Sequence, residues 1–474
     1  FPALEATRAP PSIVLRRSTA ETAFRANLVR TTAVGLGLSA LGLGLLALPG
    51  KNLLLSYAGL FAILAGSAGV TPALTVLSAA GLRPLAGALF GPLGRMAARG
   101  VITHLSRNAV AIAALSTAVA TTVSVALMVS SFRETVIQWL DVSLQADVFV
   151  SSPSLVSRGS SATLDPSVQE RLRALPGTRG LSTIRRVRLN TSSGPSEVNV
   201  VQRAFPGASP YRFKEGDAEA VWRALETGDA VMVSEPFAFH RQVKVGDVLR
   251  LSTDRGDRPF RVAGIFYDFA SDAGVVTVDR SAYERSFQDR RISGVALYAS
   301  ESEDADALVD RVRRALGDAG PVSIRSNRGL KQASLEVFDR TFTVTSVLRL
   351  LSVAVAFVGV LSALMALSLE RARELAVLRA LGLLPRQLWS LVTLQTGLLG
   401  LIAGLLSLPL GLAMASVLVH VINKRSFGWS LELSVTPGAL AQAVGLAVGA
   451  ALLAGLYPAW KMRRTPAALA LREE

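Results

Sequence analysis

The chain has 474 residues, of which 50% are Ala, Val, Ile, Leu, Met, Phe, Trp, Tyr or Cys and only 18% are charged. Soluble domains carry about 25% charged residues. Here the apolar residues lie in long blocks that no water-soluble core needs, so composition indicates a polytopic membrane protein with one sizeable soluble insertion. The absence of Cys excludes disulfide frameworks, thiolate catalysis and Cys-ligated metals.

The three His residues, His104, His240 and His420, fall in different regions, which argues against a His-rich metal site. No G-x-x-x-x-G-K-[ST] motif occurs, so this sequence has no phosphate-binding loop of its own. The formal charge of +15 suggests a nucleic-acid partner, but its distribution argues against one. Residues 132–340 hold 29 Lys/Arg against 28 Asp/Glu, and the rest of the chain holds 21 against 7. Of those 21, 17 fall in four segments, 1–30, 81–108, 370–387 and 461–474, the exceptions being Lys51, Arg349, Lys424 and Arg425. The four segments alternate with the remaining loops as a positive-inside topology demands, which puts both termini in the cytoplasm and 132–340 outside.

Taken in order, the chain opens on a motif that it repeats at its end. Phe1-Pro2-Ala3-Leu4 matches Tyr457-Pro458-Ala459-Trp460, and Arg8, Pro10, Leu15 and Arg16 match Arg464, Pro466, Leu471 and Arg472. The motif reads as the cytoplasmic end of a span, so residues 1–30 are expected to be the tail of a first copy of a duplicated unit, and the chain the second half of a longer protein. A spanning helix needs about 20 mostly apolar residues. Stretches at 31–49, 53–80, 109–131, 346–369, 389–420 and 437–458 meet that length. The first two, within 31–80, read as linker helices joined by the Pro49-Gly50-Lys51-Asn52 turn. Gly35, Gly37, Gly42 and Gly44 are candidates for close helix packing. Residues 81–131 then bring a basic cytoplasmic segment and the next span.

The insertion 132–340 reads as α+β. Helices are expected at 165–175, capped by Asp165, and at 303–317, ended by Gly317. Strands are expected at 183–190, 196–203, 230–234, 247–252, 259–266, 275–279 and 322–326, with turns at 245–247 and 254–257. The grouping suggests a split α+β subdomain with a small β-rich subdomain inserted. No catalytic constellation is visible. His240 near Glu235 is a conceivable acid–base pair, but a surface position is the expected one. Residues 328–350 read as a helix running into the fourth span, with Arg349 an anchor at the outer interface.

Residues 341–474 hold three spans and, between the first two of these, a charged segment at 370–388. Glu370, Arg371 and Glu374 share one helical face, while Leu375, Leu378 and Leu381 share another. Gly382 is placed to stop this helix and Pro385 to open the next. Spacing alone fits either an amphipathic helix at the inner membrane surface or an ordinary solvated helix with stabilising charge pairs.

The sequence E-R-x-R-E-[LI]-A-V-L-R-A-L-G at 370–382 resembles the coupling segment of the FtsX/MacB-like ABC transporter permeases. The ending formed by Tyr457, Pro458, Ala459, Trp460, Arg464 and Pro466 is similar to that family's C-terminus. Residues 96–115 resemble its amphipathic N-terminal helix and first span, and 230–266 its periplasmic core domain. The likeness covers 95–474 together with the tail at 1–16, and the two linker spans resemble the ten-span, two-unit members. One departure is Gln395, near which family members often carry Glu. The resemblance implies a polytopic α-helical membrane protein with six spans and a large extracytoplasmic α+β domain, in the bacterial inner membrane. It implies that Glu370, Arg371, Glu374, Leu375, Leu378, Arg379, Leu381 and Gly382 form an ATPase-coupling helix, with Arg371 and Glu374 orienting it.

The implied partner is a separate ABC ATPase dimer that binds the ATP, with no cofactor in this chain, no catalytic residue, no metal and no nucleic acid. A periplasmic or hydrolase partner is also conceivable on this likeness. The implied function is to couple ATP hydrolysis to motion of the external domain, for export or extraction of a lipid, lipoprotein or other hydrophobic compound. The alternatives are an antimicrobial-peptide resistance or sensing permease, or a mechanotransmitter regulating cell-wall hydrolases without transport. A membrane-embedded enzyme is disfavoured, because apart from Arg349 at an outer end the spans offer mainly Ser, Thr and Gln, with His420 at an edge without a carboxylate partner.

Overall fold

The computed structural model describes residues 21, 24–152, 162–300, 304–317, 321–370, 377–379 and 381–464. The chain packs as two units, one of 1–131, 343–425 and 433–474, the other of 132–342 and 426–432.

Five helices among the described residues are long and apolar enough to cross a membrane: Leu28–Ala47, Leu53–Thr103, Leu105–Ser143, Pro385–Phe427 and Pro437–Gly455. Six were expected. The stretch 346–369 lies in helix Asn327–Glu370, but most side chains of that stretch fall outside the described residues and it is not among the five. The span expected at 53–80 also proves longer. Its helix continues to Thr103, interrupted at Gly91 (φ +62°, ψ −143°), a conformation that only glycine adopts easily. Its start is fixed by Asn52, whose side chain accepts from Leu54 N at 2.9 Å and Leu55 N at 3.4 Å.

Small residues set how closely the helices approach. A Cβ on Gly35 would stand 2.7 Å from Gly66 O, and one on Gly42 2.6 Å from Gly59 O, so the first two helices meet backbone to backbone. Gly37 and Gly44 face open space, which corrects the expectation of a packing role for all four. Their offset of two residues from Gly35 and Gly42 turns them to the opposite side of the helix. The same device joins Pro385–Ser416 to Pro437–Arg464, where a Cβ on Gly400 would stand 2.6 Å from Ala451 Cβ. Ile112, Leu115, Val119, Val123 and Leu127 run down one stripe of Leu105–Ser143 into a core shared with Leu399, Ile402, Ala447 and Ala451.

After Pro385–Ser416 the chain widens into a π-helical stretch, Val417–Asn423, before a last α-turn, Lys424–Phe427. Arg425 there donates to Leu46 O and Leu48 O, each at 2.8 Å, and to Ser56 Oγ at 2.8 Å. It thereby satisfies carbonyls left open at the end of Leu28–Ala47. This explains one of the charges that broke the positive-inside pattern.

The second unit is built on one sheet. Its strands are β1 (Val148–Ser151), β2 (Thr178–Thr191), β3 (Gly194–Gln202), β4 (Phe213–Glu215), β5 (Ala230–Ser234), β6 (Val248–Thr253), β7 (Gly256–Phe266), β8 (Val275–Asp279), β9 (Gly294–Ala299) and β10 (Ser323–Ser326). The order is β10-β1-β9-β2-β3-β8-β5-β7-β4, with β6 bridging β2 and β7. All seven expected strands are present. Strands β1, β4 and β9 and helices Ala218–Thr227, Glu235–Arg241 and Arg280–Ser286 are additional to the expected elements. All but Ala218–Thr227 are runs of three to seven residues, which give too little periodicity to read; that ten-residue helix carries Val221, Trp222 and Leu225 on one face between Asp217 and Gly228, a readable pattern. The expected helices appear as Pro166–Arg173, with Asp165 accepting from Ser167 N at 2.8 Å, and Ala305–Leu316, with Gly317 at its end.

The division into two subdomains lies in the cores, because the sheet itself runs unbroken through β2 and β3. Helices Pro166–Arg173 and Ala305–Leu316 cover β1 and β9 with Val168, Leu172, Leu308 and Val312. At the other end, alternate residues of the same strands face opposite ways. Val198, Val200, Val231, Val233, Val276 and Val278 enter one core with Phe237 and Phe260. Val201, Met232 and Val275 enter another with Trp222 and Phe266. This is the period-2 pattern of strands buried on both faces.

Candidate functional site

The segment singled out between the fourth and fifth expected spans is partly described. Glu370 closes helix Asn327–Glu370, and nothing of its side chain is described. Arg371, Glu374 and Leu375 lie outside the described residues. Past them the backbone closes in a defined way. Gly382 N donates to Arg379 O at 3.1 Å, Leu383 N to Leu378 O at 3.2 Å, and Gly382 has φ +101°. This paired set of bonds around a left-handed glycine is the Schellman helix end. Two residues on, Pro385 stands in the first turn of the next helix and Gln387 Oε1 accepts from Leu384 N at 2.9 Å.

The side chains around this turn are unusually open for apolar residues. Leu381 is 75% exposed and Leu384 62%, with Val377 and Trp389 also exposed, while Leu378 and Arg379 are half-buried. Farther along the same helix Gln395 is buried against Gly100, where a Cβ would stand 3.2 Å from its amide. Tyr457, Pro458, Ala459, Trp460 and Arg464 lie in helix Pro437–Arg464, their side chains undescribed; Pro466, the matching motif at 1–16 and the side chain of Arg349 are outside the described residues.

The α+β unit has a root of its own. Helix Asn327–Glu370 begins where Asn327 Nδ2 donates to Leu144 O and Ala146 O, at the end of Leu105–Ser143. The two helices are then cross-tied within this unit by Lys331 with Asp141 and by Arg133 Nε with Asp339 Oδ1 at 3.1 Å. Phe132 packs on Phe338 and Phe342, with ring centroids 5.3 and 5.9 Å away.

A third strand of chain joins this root, and sequence reading missed it. Residues 426–432, between the fifth and sixth expected spans, belong to the α+β unit. Trp429 stacks on Phe132 (5.6 Å, 17°) and on Phe427 (4.9 Å, 15°), and meets Phe269 at 5.9 Å. Ser430 donates its N–H at 3.0 Å and its hydroxyl at 2.6 Å to the Glu235 carboxylate, which also pairs with Lys214. Glu235 is only 3% exposed, turned inward onto this loop at the Glu-Pro opening of helix Glu235–Arg241, while His240, expected at the surface, is half-buried at the end of the same helix. The available signal was Trp429 beside Gly428 in a short connection, with Lys424 and Arg425 on the side where positive charge is scarce.

The loop after β7 touches the same aromatic group, since Phe269 also meets Trp139 at 6.0 Å. Its neighbour Asp268 is buried, and burial pushes its carboxyl up to about 6, against the pull of the Ala270 N–H and the Arg186 charge. Asp289, between helix Arg280–Ser286 and β9, behaves oppositely. Burial pushes it up, but hydrogen bonds from Arg291 and Arg185 outweigh that and hold it at about 2. Among the described residues no group of three or more His, Asp or Glu is placed to hold a metal.

Two family models match the chain. Residues 109–315 match the MacB-like periplasmic core domain and 346–467 the FtsX-like permease C-terminal domain. An uncharacterized ABC transporter permease protein of Mycobacterium tuberculosis is 39% identical over 477 residues, covering all of this chain and 56% of that protein. The lipoprotein-releasing system transmembrane protein LolC of Neisseria meningitidis is 27% identical over 292 residues, 57% of this chain and 66% of that protein. Among solved structures, the periplasmic region of MacB from Actinobacillus actinomycetemcomitans aligns with 41% of this chain and 94% of its own, at 13% identity and a TM-score of 0.30. The chain thus spans a little over half the length of its mycobacterial relative. With a membrane unit and an α+β unit that each carry a match, the chain belongs to the FtsX/MacB-like family of ABC transporter permeases.

Proposed function

We propose that this chain is the transmembrane subunit of an ABC transporter, which passes motion from a separate ATPase dimer to its α+β domain. The observation that carries this reading is the turn at 377–389. An apolar surface of Leu381, Leu384 and Trp389, held in place by the Gly382 helix end and flanked by Arg379 and Arg386, suits docking into a groove on a partner protein. In this reading Leu375, Leu378, Arg379, Leu381 and Gly382 engage the ATPase, Arg371 and Glu374 orient the helix, and the ATP is bound wholly by the partner.

The uneven charge supports a topology with both termini in the cytoplasm and 132–340 outside. Motion then reaches the α+β domain along three passages of chain: at 131–132, at 342–343 and through 426–432. The substrate class is a lipid, lipoprotein or similar hydrophobic compound at the outer face, a reading supported by the LolC relative, whose name describes lipoprotein release.

The test is ATP turnover by the full protein reconstituted with its ATPase, comparing wild type with Arg379→Glu and Gly382→Pro. Both changes are expected to uncouple or dissociate the complex. Variants that assemble and turn over ATP as wild type does would remove the coupling role. Coupled turnover without movement of any lipid or lipoprotein would favour regulation of a cell-wall hydrolase over transport.

A further inference from the structure

Helix Leu53–Thr103 stops at His104 (φ −113°, ψ +48°), and helix Leu105–Ser143 starts at the next residue. A break of this kind strands the last carbonyls of one helix and the first N–H groups of the other. Near a membrane such groups are costly to leave open. Three side chains close them. The Glu21 carboxylate, 84 residues upstream of Leu105, accepts from Leu105 N at 2.9 Å, Ser106 N at 3.3 Å and Ser106 Oγ at 2.7 Å. Arg25 donates to Ile102 O at 2.7 Å and stands 3.7 Å from the same carboxylate. From the interior, buried Asn108 donates to Val101 O at 2.8 Å and Gly100 O at 3.4 Å.

The charges are matched to the helix ends. An anion at a helix N-terminus and a cation at a C-terminus are each favoured by the helix dipole. Glu21 meets the N-terminus of Leu105–Ser143, and Arg25 the C-terminus of Leu53–Thr103, so one turn of chain reads both sides of the elbow. The carboxylate is moreover largely enclosed, with a side-chain exposure of 22%.

We propose that Glu21 and Arg25 are positioning residues that lock this elbow, so that the segment leading into the first span and the start of Leu105–Ser143 move as one body. Motion delivered to the membrane unit then reaches Leu105–Ser143 without being lost in a flexing joint, a consequence that rests on the coupling function proposed above. Glu21 acts through the backbone it caps.

The order of the charges supplies the test. The double variant Glu21→Arg with Arg25→Glu keeps the net charge and the i,i+4 pair but presents each helix end with the wrong sign. Amide hydrogen exchange is measured on the full chain in lipid nanodiscs, together with ATP turnover in the complex with its ATPase. The swap is expected to raise exchange at Leu105 and Ser106 by about tenfold or more, the loss of charge-assisted bonds, and to lower coupled turnover several-fold. Glu21→Gln, which keeps an acceptor, is expected to fall between. A swap variant exchanging like wild type overturns the lock. Raised exchange with unchanged turnover overturns its positioning role and leaves the coupling function standing. A wild-type complex without coupled turnover overturns that function but not the lock, which exchange reads on its own.

Discussion

The tie between Glu235 and Ser430 gives the sharpest quantitative test of how the loop 426–432 is held. Glu235 is 3% exposed, pairs with Lys214 and accepts two hydrogen bonds from one residue of the loop. Glu235→Ala removes the acceptor and leaves the Lys214 ammonium, 28% exposed, without this partner. Breaking a buried charge pair on one side costs about 3–5 kcal/mol. Partial exposure of Lys214 favours the lower end, about 3 kcal/mol, which is roughly a hundredfold in an opening equilibrium. The Trp429 stack on Phe132 and Phe427 remains, so the loop is expected to open locally while the domain stays folded. The assay is hydrogen exchange of the 426–432 peptide in the full chain, with exchange of β5 and β8 as the internal control. Ser430→Ala, which loses the hydroxyl bond but keeps the N–H bond, is expected to raise the same exchange about tenfold, in line with 1.5–3 kcal/mol for a bond to a charged group. Exchange at 426–432 within twofold of wild type in Glu235→Ala would refute the assignment of this carboxylate as the loop's anchor.

Further outcomes follow from the same physical terms. Asp268 has a folded value of about 6 against about 3.9 for the unfolded chain. A raised folded value means that the folded state holds its proton longer, so the domain is expected to gain stability as pH falls from about 7 to about 4. Asp268→Asn should abolish that part of the pH dependence and raise the melting temperature at pH 7.5, read by thermal unfolding in nanodiscs. Asp289 runs the opposite way, because its value is depressed to about 2. Its contribution is complete above about pH 4 and is lost as pH falls toward 2, and Asp289→Asn is expected to cost about 2 kcal/mol at pH 7, seen as a lower unfolding midpoint. Gly42→Leu drives a side chain into Gly59 O and Ile63, and is expected to separate the first two helices, read as lost protection at 56–66. Gly382→Ala forces a Cβ into a left-handed conformation at a cost of about 1–2 kcal/mol, and is expected to weaken ATPase binding without unfolding the chain.

The sequence by itself determined what depends on local chemistry. Span positions follow from runs of apolar residues, because lipid imposes a minimum length that only composition has to meet. The helix stop at Gly382 and the start at Pro385 were legible because each rests on one residue's backbone preference. The expected strands of the α+β domain were legible as short β-branched runs, alternating in β2, β3, β6 and β7 and continuously apolar in β5 and β8, which are buried on both faces. The family was legible from separated motifs in order. Tertiary structure decided the rest, and the reason is the same in each case: the partner lies far away along the chain. Ser430 meets Glu235 across 195 residues, Arg425 meets Leu46 O across 379, and Glu21 caps Leu105 across 84. No periodicity or propensity encodes such pairs, since each residue taken alone reads as an ordinary exposed polar group. Only the fold brings a charge to the backbone group it satisfies, and only there does Glu235 change from a surface residue into a buried anchor.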